Sequence, residues 1–222
     1  MSSNPILVVC LIVLLAVGIA MYRADSGQHA PAIASAGGEL TPEQALRRQK
    51  AGVAWYGLAQ HSYDRELVGF MCDELEAHGL ADQWPYLLAY GEVNFGLTVG
   101  GVAPGPCYGP WDVKWCWARG CRAACADLVG ERAWTTAILT DPYVNTRCAV
   151  LEMAHYHRPW RSGLDLLAKV FYPADPGRAA HMRRRWAAVV AQIDAMVASM
   201  YRKAAAGEIR LAGEEAAGWP DR

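Results

Sequence analysis

The sequence predicts an all-α domain behind an apolar N-terminal segment, and three observations support this class. Apolar residues recur every three or four positions in several segments, and no segment alternates apolar and polar residues over the length of a strand. Helix-start signals, in which a capping residue precedes a proline, occur repeatedly. The chain has 222 residues, of which 53% are hydrophobic, and this suits one well-buried domain with appendages.

The N-terminal segment, residues 1–23, contains an uncharged apolar run from Pro5 to Tyr22. Its length suits a transmembrane helix. A cleaved signal peptide is the alternative, because Gly18-Ile19-Ala20 offers a small-x-small cleavage site, although no basic residue precedes the run. We therefore expect a membrane anchor or signal segment here. Residues 24–40 are rich in Ala, Gly and Ser and are predicted to be a flexible linker.

The domain, predicted over residues 41–203, opens with a clear helix start. Thr41 is a candidate N-cap, Pro42 suits the first helical position, and Gln44 completes a capping box. This helix is predicted to end near Gly57.

The next two helices are shorter. The second is predicted to begin at Ser62 or Asp64 and to stop at His78-Gly79. The third is predicted to be capped by Asp82, to carry Glu92 and to end by Gly96.

A loop rich in Gly and Pro, residues 96–110, is expected to follow, with a short extended stretch as an option. A helical region is predicted from Trp111 to Val129. The following helices are predicted to start at Asp141-Pro142, at Ser162 with Asp165, and at Asp175-Pro176, and to end at His157, at Tyr172 and near residue 203. Helical patterns also suggest that four tryptophans are core residues: Trp117, Trp134, Trp160 and Trp186. Residues 204–222 are predicted to be a frayed tail.

Six cysteines lie outside the apolar run, and an even number after an export-type segment predicts disulfides in an oxidising compartment. The pairing remains open. This favours a periplasmic or cell-envelope location, whereas the single Arg23 after the run would favour a cytoplasmic domain. A zinc site built from Cys116, Cys121 and Cys125 with histidines is the rival, but no C-x-x-C pair occurs. The sequence therefore predicts neither a metal nor a cofactor.

Glu92 is the strongest candidate for chemistry. It is a lone carboxylate at the end of an apolar helical run, and apolar surroundings disfavour its charged form. The negative end of the helix dipole acts in the same direction. A carboxyl group that stays protonated near neutral pH can serve as a general acid. The net charge of −1 gives no argument for nucleic acid as a partner.

Four segments together resemble the lysozyme-like domain of soluble lytic transglycosylases and goose-type lysozymes. The family places Glu-Ser-x-Phe-Asn-Pro at a helix end, then Ala-Tyr-Gly-Leu-Met-Gln, Asp-Pro-x-x-Asn-Ile and Ala-Tyr-Asn-Ala-Gly-Pro-Gly. This chain has, in the same order, Glu92-Val93-Asn94-Phe95, Cys107-Tyr108-Gly109-Pro110-Trp111-Asp112, Asp141-Pro142-Tyr143-Val144-Asn145 and Phe171-Tyr172-Pro173-Ala174-Asp175-Pro176-Gly177. The resemblance covers roughly residues 41–200. The chain departs from the family at Val93, Asp112 and Pro173.

The resemblance implies cleavage of the β-1,4 bond between N-acetylmuramic acid and N-acetylglucosamine, as in a lytic transglycosylase. Glu92 would be the single acid and base. The implied substrate-binding residues are Tyr108, Gly109, Asp112, Asn145 and Tyr172. Asp112 has two further interpretations: it could position water for hydrolysis, or it could cap a helix.

The expected partners are peptidoglycan glycan strands, the membrane through residues 1–23, and other envelope proteins. The alternative function, which the departures from the family keep open, is a non-catalytic lysozyme-like module that binds peptidoglycan or serves as an envelope scaffold.

Overall fold

A computed structural model describes residues 39–97, 107–111, 113–114, 120–172 and 174–212. The chain divides into two compact units, Met1–Glu39 and Leu40–Arg222, and every helix described below belongs to the second. Helices dominate this unit, so the predicted all-α class is confirmed. The predicted anchor and nearly all of the predicted linker lie outside the described residues.

The described unit contains seven helices and one two-stranded hairpin. In chain order they are α1 (Pro42–Leu58), α2 (Arg65–Ala77), α3 (Trp84–Phe95), β1 (Cys107–Tyr108), β2 (Val113–Lys114), α4 (Ala126–Val129), α5 (Pro142–Tyr156), α6 (Gly163–Phe171) and α7 (Pro176–Ala205). Single 3-10 turns lie at Gln60–Ser62, Ala81–Gln83 and Thr136–Thr140. Within the described part of the chain, none of these helices combines the length and the apolar character needed to cross a bilayer.

Several predicted helix starts are confirmed in atomic detail. The Thr41 hydroxyl accepts from the Gln44 backbone N–H at 3.2 Å, and the Gln44 side chain accepts from the Thr41 N–H at 2.9 Å, which completes the capping box. Asp64 and Asp141 each accept two backbone N–H bonds of the helix that follows, and Asp175 accepts one. The local sequence is therefore sufficient to begin these helices.

Two predicted elements are wrong. Asp82 does not cap α3, because it lies inside a 3-10 turn and α3 begins at Trp84. The helix predicted from Trp111 is replaced at its start by an antiparallel pair, in which Tyr108 faces Val113. Trp111 has no exposed surface, and its indole N–H donates to Thr146 Oγ1 at 2.6 Å. A tertiary contact thus overrides the helical pattern at this position.

Helix α3 lies at the centre of the core and packs against α7, α1 and α6. Leu87, Leu88 and Ala89 are fully buried. Tyr90 stacks on Phe171 of α6, with ring centroids 3.5 Å apart, and also contacts Trp186 of α7. This packing on several sides explains why α3 is apolar along its length rather than along one stripe.

Two features differ from the predictions: the contacts of the chain beyond α7 and the exposure of Trp160. Residues 206–212 turn back to α1, where Gln49 Nε2 donates to the Arg210 carbonyl and Gln49 Oε1 accepts from the Ala212 N–H. The predicted tail is therefore held to the domain as far as residue 212. Trp186 is buried as predicted, but Trp160 is 79% exposed and is not a core residue.

Candidate active site at the end of helix α3

Glu92 lies in the last turn of α3, and the end of this helix is firmly set. Gly96 adopts the left-handed conformation with φ 60°, and its N–H donates to the Glu92 carbonyl at 2.9 Å. The Leu97 N–H reaches the Gly91 carbonyl at 3.4 Å. These bonds close the helix as a glycine C-cap does, so the backbone of Glu92 is fixed.

The Glu92 carboxyl group is only partly accessible to water. One of its oxygens, Oε2, is buried and has no hydrogen-bond partner among the described residues. Burial raises the pKa of Glu92 above its usual value, and the nearby His61 opposes this shift. Because a buried carboxylate without donors is costly, the protonated form is favoured. This is the environment that the sequence predicts for Glu92.

Gly91, the neighbour of Glu92, is in close contact with the hairpin region. A Cβ atom at this position would lie 2.6 Å from Leu97 Cδ2 and 2.7 Å from Trp111 Cζ3. No side chain larger than hydrogen fits there without movement of Leu97 and Trp111. The close approach places the Trp111 indole directly against the turn of α3 that carries Glu92.

Asn145 holds the hairpin turn from the opposite side. Its Oδ1 accepts from the Trp111 N–H at 3.0 Å, and its Nδ2 donates to the Leu139 carbonyl at 3.0 Å. Its side chain has no exposed surface. Gly109 has φ 68°, and its Cα faces the Asn145 amide so closely that a Cβ would overlap it. The amide that the sequence assigns to substrate thus anchors the turn.

Thr146 adds a second anchor beside Asn145. Its hydroxyl accepts from Trp111 Nε1 and donates to the Pro142 carbonyl, both at 2.6 Å. Both the backbone and the side chain of Trp111 are therefore held by the first turn of α5. A continuous set of contacts runs from α5 through Trp111 to Gly91, beside the candidate acid.

The remaining predicted site residues are placed as follows. Tyr172 is half-buried, with its ring 5.9 Å from that of Trp186 and the Arg178 guanidinium 5.0 Å above it. It lines a cavity of about 450 Å³, together with Trp160, Arg161 and Lys169, whereas Glu92 does not. The Tyr108 side chain and all of Asp112 lie outside the described residues.

Three contributors to the site were missed by sequence reasoning. His61 influences Glu92 from the 3-10 turn after α1, and nothing in the local sequence links it to α3. Trp111 was assigned to a helix, and Thr146 was not singled out. Trp111 and Thr146 did carry a signal, because Trp111 lies in the segment that resembles the second family motif and Thr146 directly follows the segment that resembles the third.

Comparison with known proteins adds no relative. No protein-family model, no curated protein and no solved structure matches this chain significantly. Among the described residues, no three or more His, Cys, Asp or Glu side chains are arranged to hold a metal ion. The functional argument therefore rests on the geometry around Glu92.

Proposed function

We propose that this protein has a lysozyme-like fold and cleaves the β-1,4 bond between N-acetylmuramic acid and N-acetylglucosamine in peptidoglycan. Glu92 serves as the single acid and base. The observation that carries the proposal is the Glu92 carboxyl group, with a buried and unpartnered oxygen at a fixed helix end. Burial raises the pKa of Glu92 above its usual value, which favours the protonated form that a general acid needs.

In the first step Glu92 donates its proton to the glycosidic oxygen. The bond from the muramic C1 to that oxygen breaks, and the N-acetylglucosamine portion leaves with a new hydroxyl. Positive charge develops on the muramic ring, and the carboxylate formed on Glu92 stabilises this charge. Burial supports this step because it favours the protonated form of Glu92, which is the form that donates the proton.

In the second step the muramic 6-hydroxyl attacks C1 and Glu92 takes back the hydroxyl proton. An anhydro ring forms, Glu92 returns to its protonated state, and no water is consumed. One carboxylate is sufficient because the nucleophile belongs to the substrate. This agrees with the absence of a second carboxylate bonded to Glu92 among the described residues. Hydrolysis is the variant route, in which Asp112 positions a water molecule.

The surroundings of the reaction belong to the same proposal. Glycan strands are the partner, and residues 1–23 direct the domain to the envelope, as a membrane anchor or as a cleaved signal peptide. Trp111, at the end of the turn Gly109–Trp111, packs against Gly91, which precedes Glu92 in the chain, and the attachment of the turn to Asn145 supports a rigid position for it. Rigid placement of groups around a reacting bond is what lowers the barrier in such enzymes.

The test is digestion of purified peptidoglycan by the full chain, compared with Glu92→Gln and with Glu152→Gln. Glu152 is a matched control, because burial also raises its pKa but it lies on α5. We expect Glu92→Gln to lose cleavage and Glu152→Gln to retain it. Mass spectrometry of the products is expected to show anhydro-muramic ends.

Three results would change the proposal. Equal cleavage by the parent protein and Glu92→Gln removes the assigned role of Glu92. Binding to peptidoglycan without cleavage by the parent protein indicates the non-catalytic module instead. Reducing muramic ends in place of anhydro ends indicate hydrolysis.

A further inference from the structure

Three buried cysteines meet where the segment before α4 packs on α5. The Cys125 and Cys148 sulfurs are 3.9 Å apart, and the Cys121 thiol lies 3.9 Å from the Cys148 carbonyl oxygen. The four cysteines whose side chains are described, Cys72, Cys121, Cys125 and Cys148, are thiols in this structure. The two sulfurs in van der Waals contact need to move by about 2 Å to reach the bonding distance of a disulfide.

The backbone around this cluster is held in place by other contacts. Arg147, next to Cys148, donates to the Ala124 carbonyl at 3.0 Å and to Asp127 at 2.6 Å. The Cys125 N–H donates to the Cys121 carbonyl at 3.0 Å, which puts these two cysteines one turn apart. The fold therefore fixes the backbone on both sides of the cluster. The contact between the two sulfurs does not depend on the conformation of one side chain.

The Cys121 and Cys148 thiols of the cluster differ in their pKa. A hydrogen bond with Cys148 lowers the pKa of the Cys121 thiol, although burial acts against this. Hydrogen bonds to Cys121 and Cys125, together with burial, raise the pKa of Cys148.

We propose that Cys125 and Cys148 form a disulfide in an oxidising compartment, and that this bond fastens segment 120–129 to α5. The oxidant is a small or protein disulfide, such as oxidised glutathione. One cysteine thiolate attacks the oxidant and releases one glutathione. The second thiolate then attacks the mixed disulfide and releases the other. Two protons and two electrons pass from the cysteines to the oxidant, so the step is balanced.

The bond would act on the same helix that holds the candidate site. Cys148 is one turn after Asn145 and Thr146, which anchor Trp111. A covalent tie between Cys125 and Cys148 restricts the unfolded chain, and hence stabilises the folded arrangement. The inference depends only on the cluster, so it stands whether or not the protein cleaves glycan.

The experiment is refolding of the full chain with oxidised glutathione, followed by alkylation, trypsin digestion and mass spectrometry. Cleavage after Arg122 and Arg147 separates Cys121, Cys125 and Cys148 into different peptides. We expect a linked peptide that joins Cys125 to Cys148, and an alkylated Cys72. The melting temperature of the oxidised protein should exceed that of the reduced protein by roughly 5–10 °C.

Two variants complete the test. Cys125→Ala should abolish the linked peptide and the gain in melting temperature, whereas Cys121→Ala should keep both. Absence of the Cys125–Cys148 peptide in the parent protein overturns the proposal, as does a zinc ion retained by the purified thiols. The identification of linked peptides in the parent protein tests the proposed disulfide even if a variant fails to fold.

Discussion

Glu74 and Glu92 lie on neighbouring helices of one core, but the protein surrounds the two carboxylates in opposite ways. Glu74 Oε1 accepts from Arg147 Nε at 3.0 Å and from Nη2 at 2.7 Å, and Arg147 also binds Asp127. Glu92 Oε2 is buried without a hydrogen-bond partner among the described residues. Among the described residues, His61 is the group whose charge acts on Glu92.

This difference separates a structural carboxylate from one suited to chemistry. The guanidinium group of Arg147 donates two hydrogen bonds to Glu74 Oε1 and supplies a neutralising charge. Such a pair ties α2 to α5 and is costly to break, because one charge would stay behind in a site where Glu74 is only 12% exposed. A carboxyl group held without donors exchanges a proton more readily near neutral pH.

The largest effects are expected when each of the two carboxylates is changed to its amide. Glu92→Gln should lower the rate of peptidoglycan cleavage by about 10²–10⁴-fold and leave stability nearly unchanged, because only a proton donor is lost. Glu74→Gln should reduce the free energy of unfolding by about 2–4 kcal/mol, because Arg147 loses the less exposed of its two carboxylate partners. Activity assays and urea denaturation measure the two effects.

The proposed difference between the two carboxylates requires that Glu92→Gln affects mainly cleavage and that Glu74→Gln affects mainly stability. A loss of stability in Glu92→Gln equal to that in Glu74→Gln would make both carboxylates structural. Full cleavage activity in Glu92→Gln would have the same meaning for the site.

The next effect in size concerns the support of the turn beside Glu92. Asn145→Ala removes the bonds to the Trp111 N–H and the Leu139 carbonyl, and should lower stability by about 1–3 kcal/mol. Gln83→Ala is the matched control, because this buried amide accepts from the Gly163 N–H elsewhere in the fold. Both variants should lose stability, but only Asn145→Ala should also lose cleavage by the folded protein.

A positioning role for Asn145 would show mainly in kcat, because a displaced turn leaves substrate binding less affected than the reacting geometry. Equal activity of the two folded variants would reduce Asn145 to a purely structural residue.

Local signals account for the part of the fold that was predicted correctly. Helix starts at Thr41, Asp64, Asp141 and Asp175 depend on capping within three or four residues, so the sequence alone specifies them. The glycine end of α3 at Gly96 is of the same kind. The setting of Glu92 was predictable because an apolar helix determines its burial locally.

Long-range contacts account for what was missed. Trp111 follows a helical pattern, yet its bonds to Asn145 and Thr146, more than thirty positions away along the chain, place it in a hairpin. His61 reaches Glu92 only because α1 and α3 pack together. No local pattern encodes either contact, because both depend on the completed fold.

A smaller effect is expected in the pH dependence of stability. The folded pKa of Glu92 lies above the usual 4.5, so the folded state holds its proton more tightly than the unfolded state. The stabilising contribution is complete below pH 4.5 and is lost as the pH rises through the folded value. Glu92→Gln should therefore become more stable relative to the parent protein over this range. Denaturation at a series of pH values measures this, and an unchanged difference would contradict burial of the carboxyl group.

The smallest effect concerns His61, which lowers the pKa of Glu92 against the effect of burial. Cleavage requires protonated Glu92, so kcat/KM should fall as the pH rises through that pKa. His61→Gln removes the side chain that lowers the pKa of Glu92, and the fall should therefore move to higher pH. His78→Gln, at the exposed end of α2, should leave the profile unchanged. Because salt screens a charge interaction near the surface, the difference between the two variants should shrink at high ionic strength. A shift of the profile to lower pH would mean that His61 stabilises the protonated form of Glu92. The raised pKa of Glu92 would then be caused by a hydrogen bond and not by burial, and the contrast with Glu74 would have to be explained in the same way.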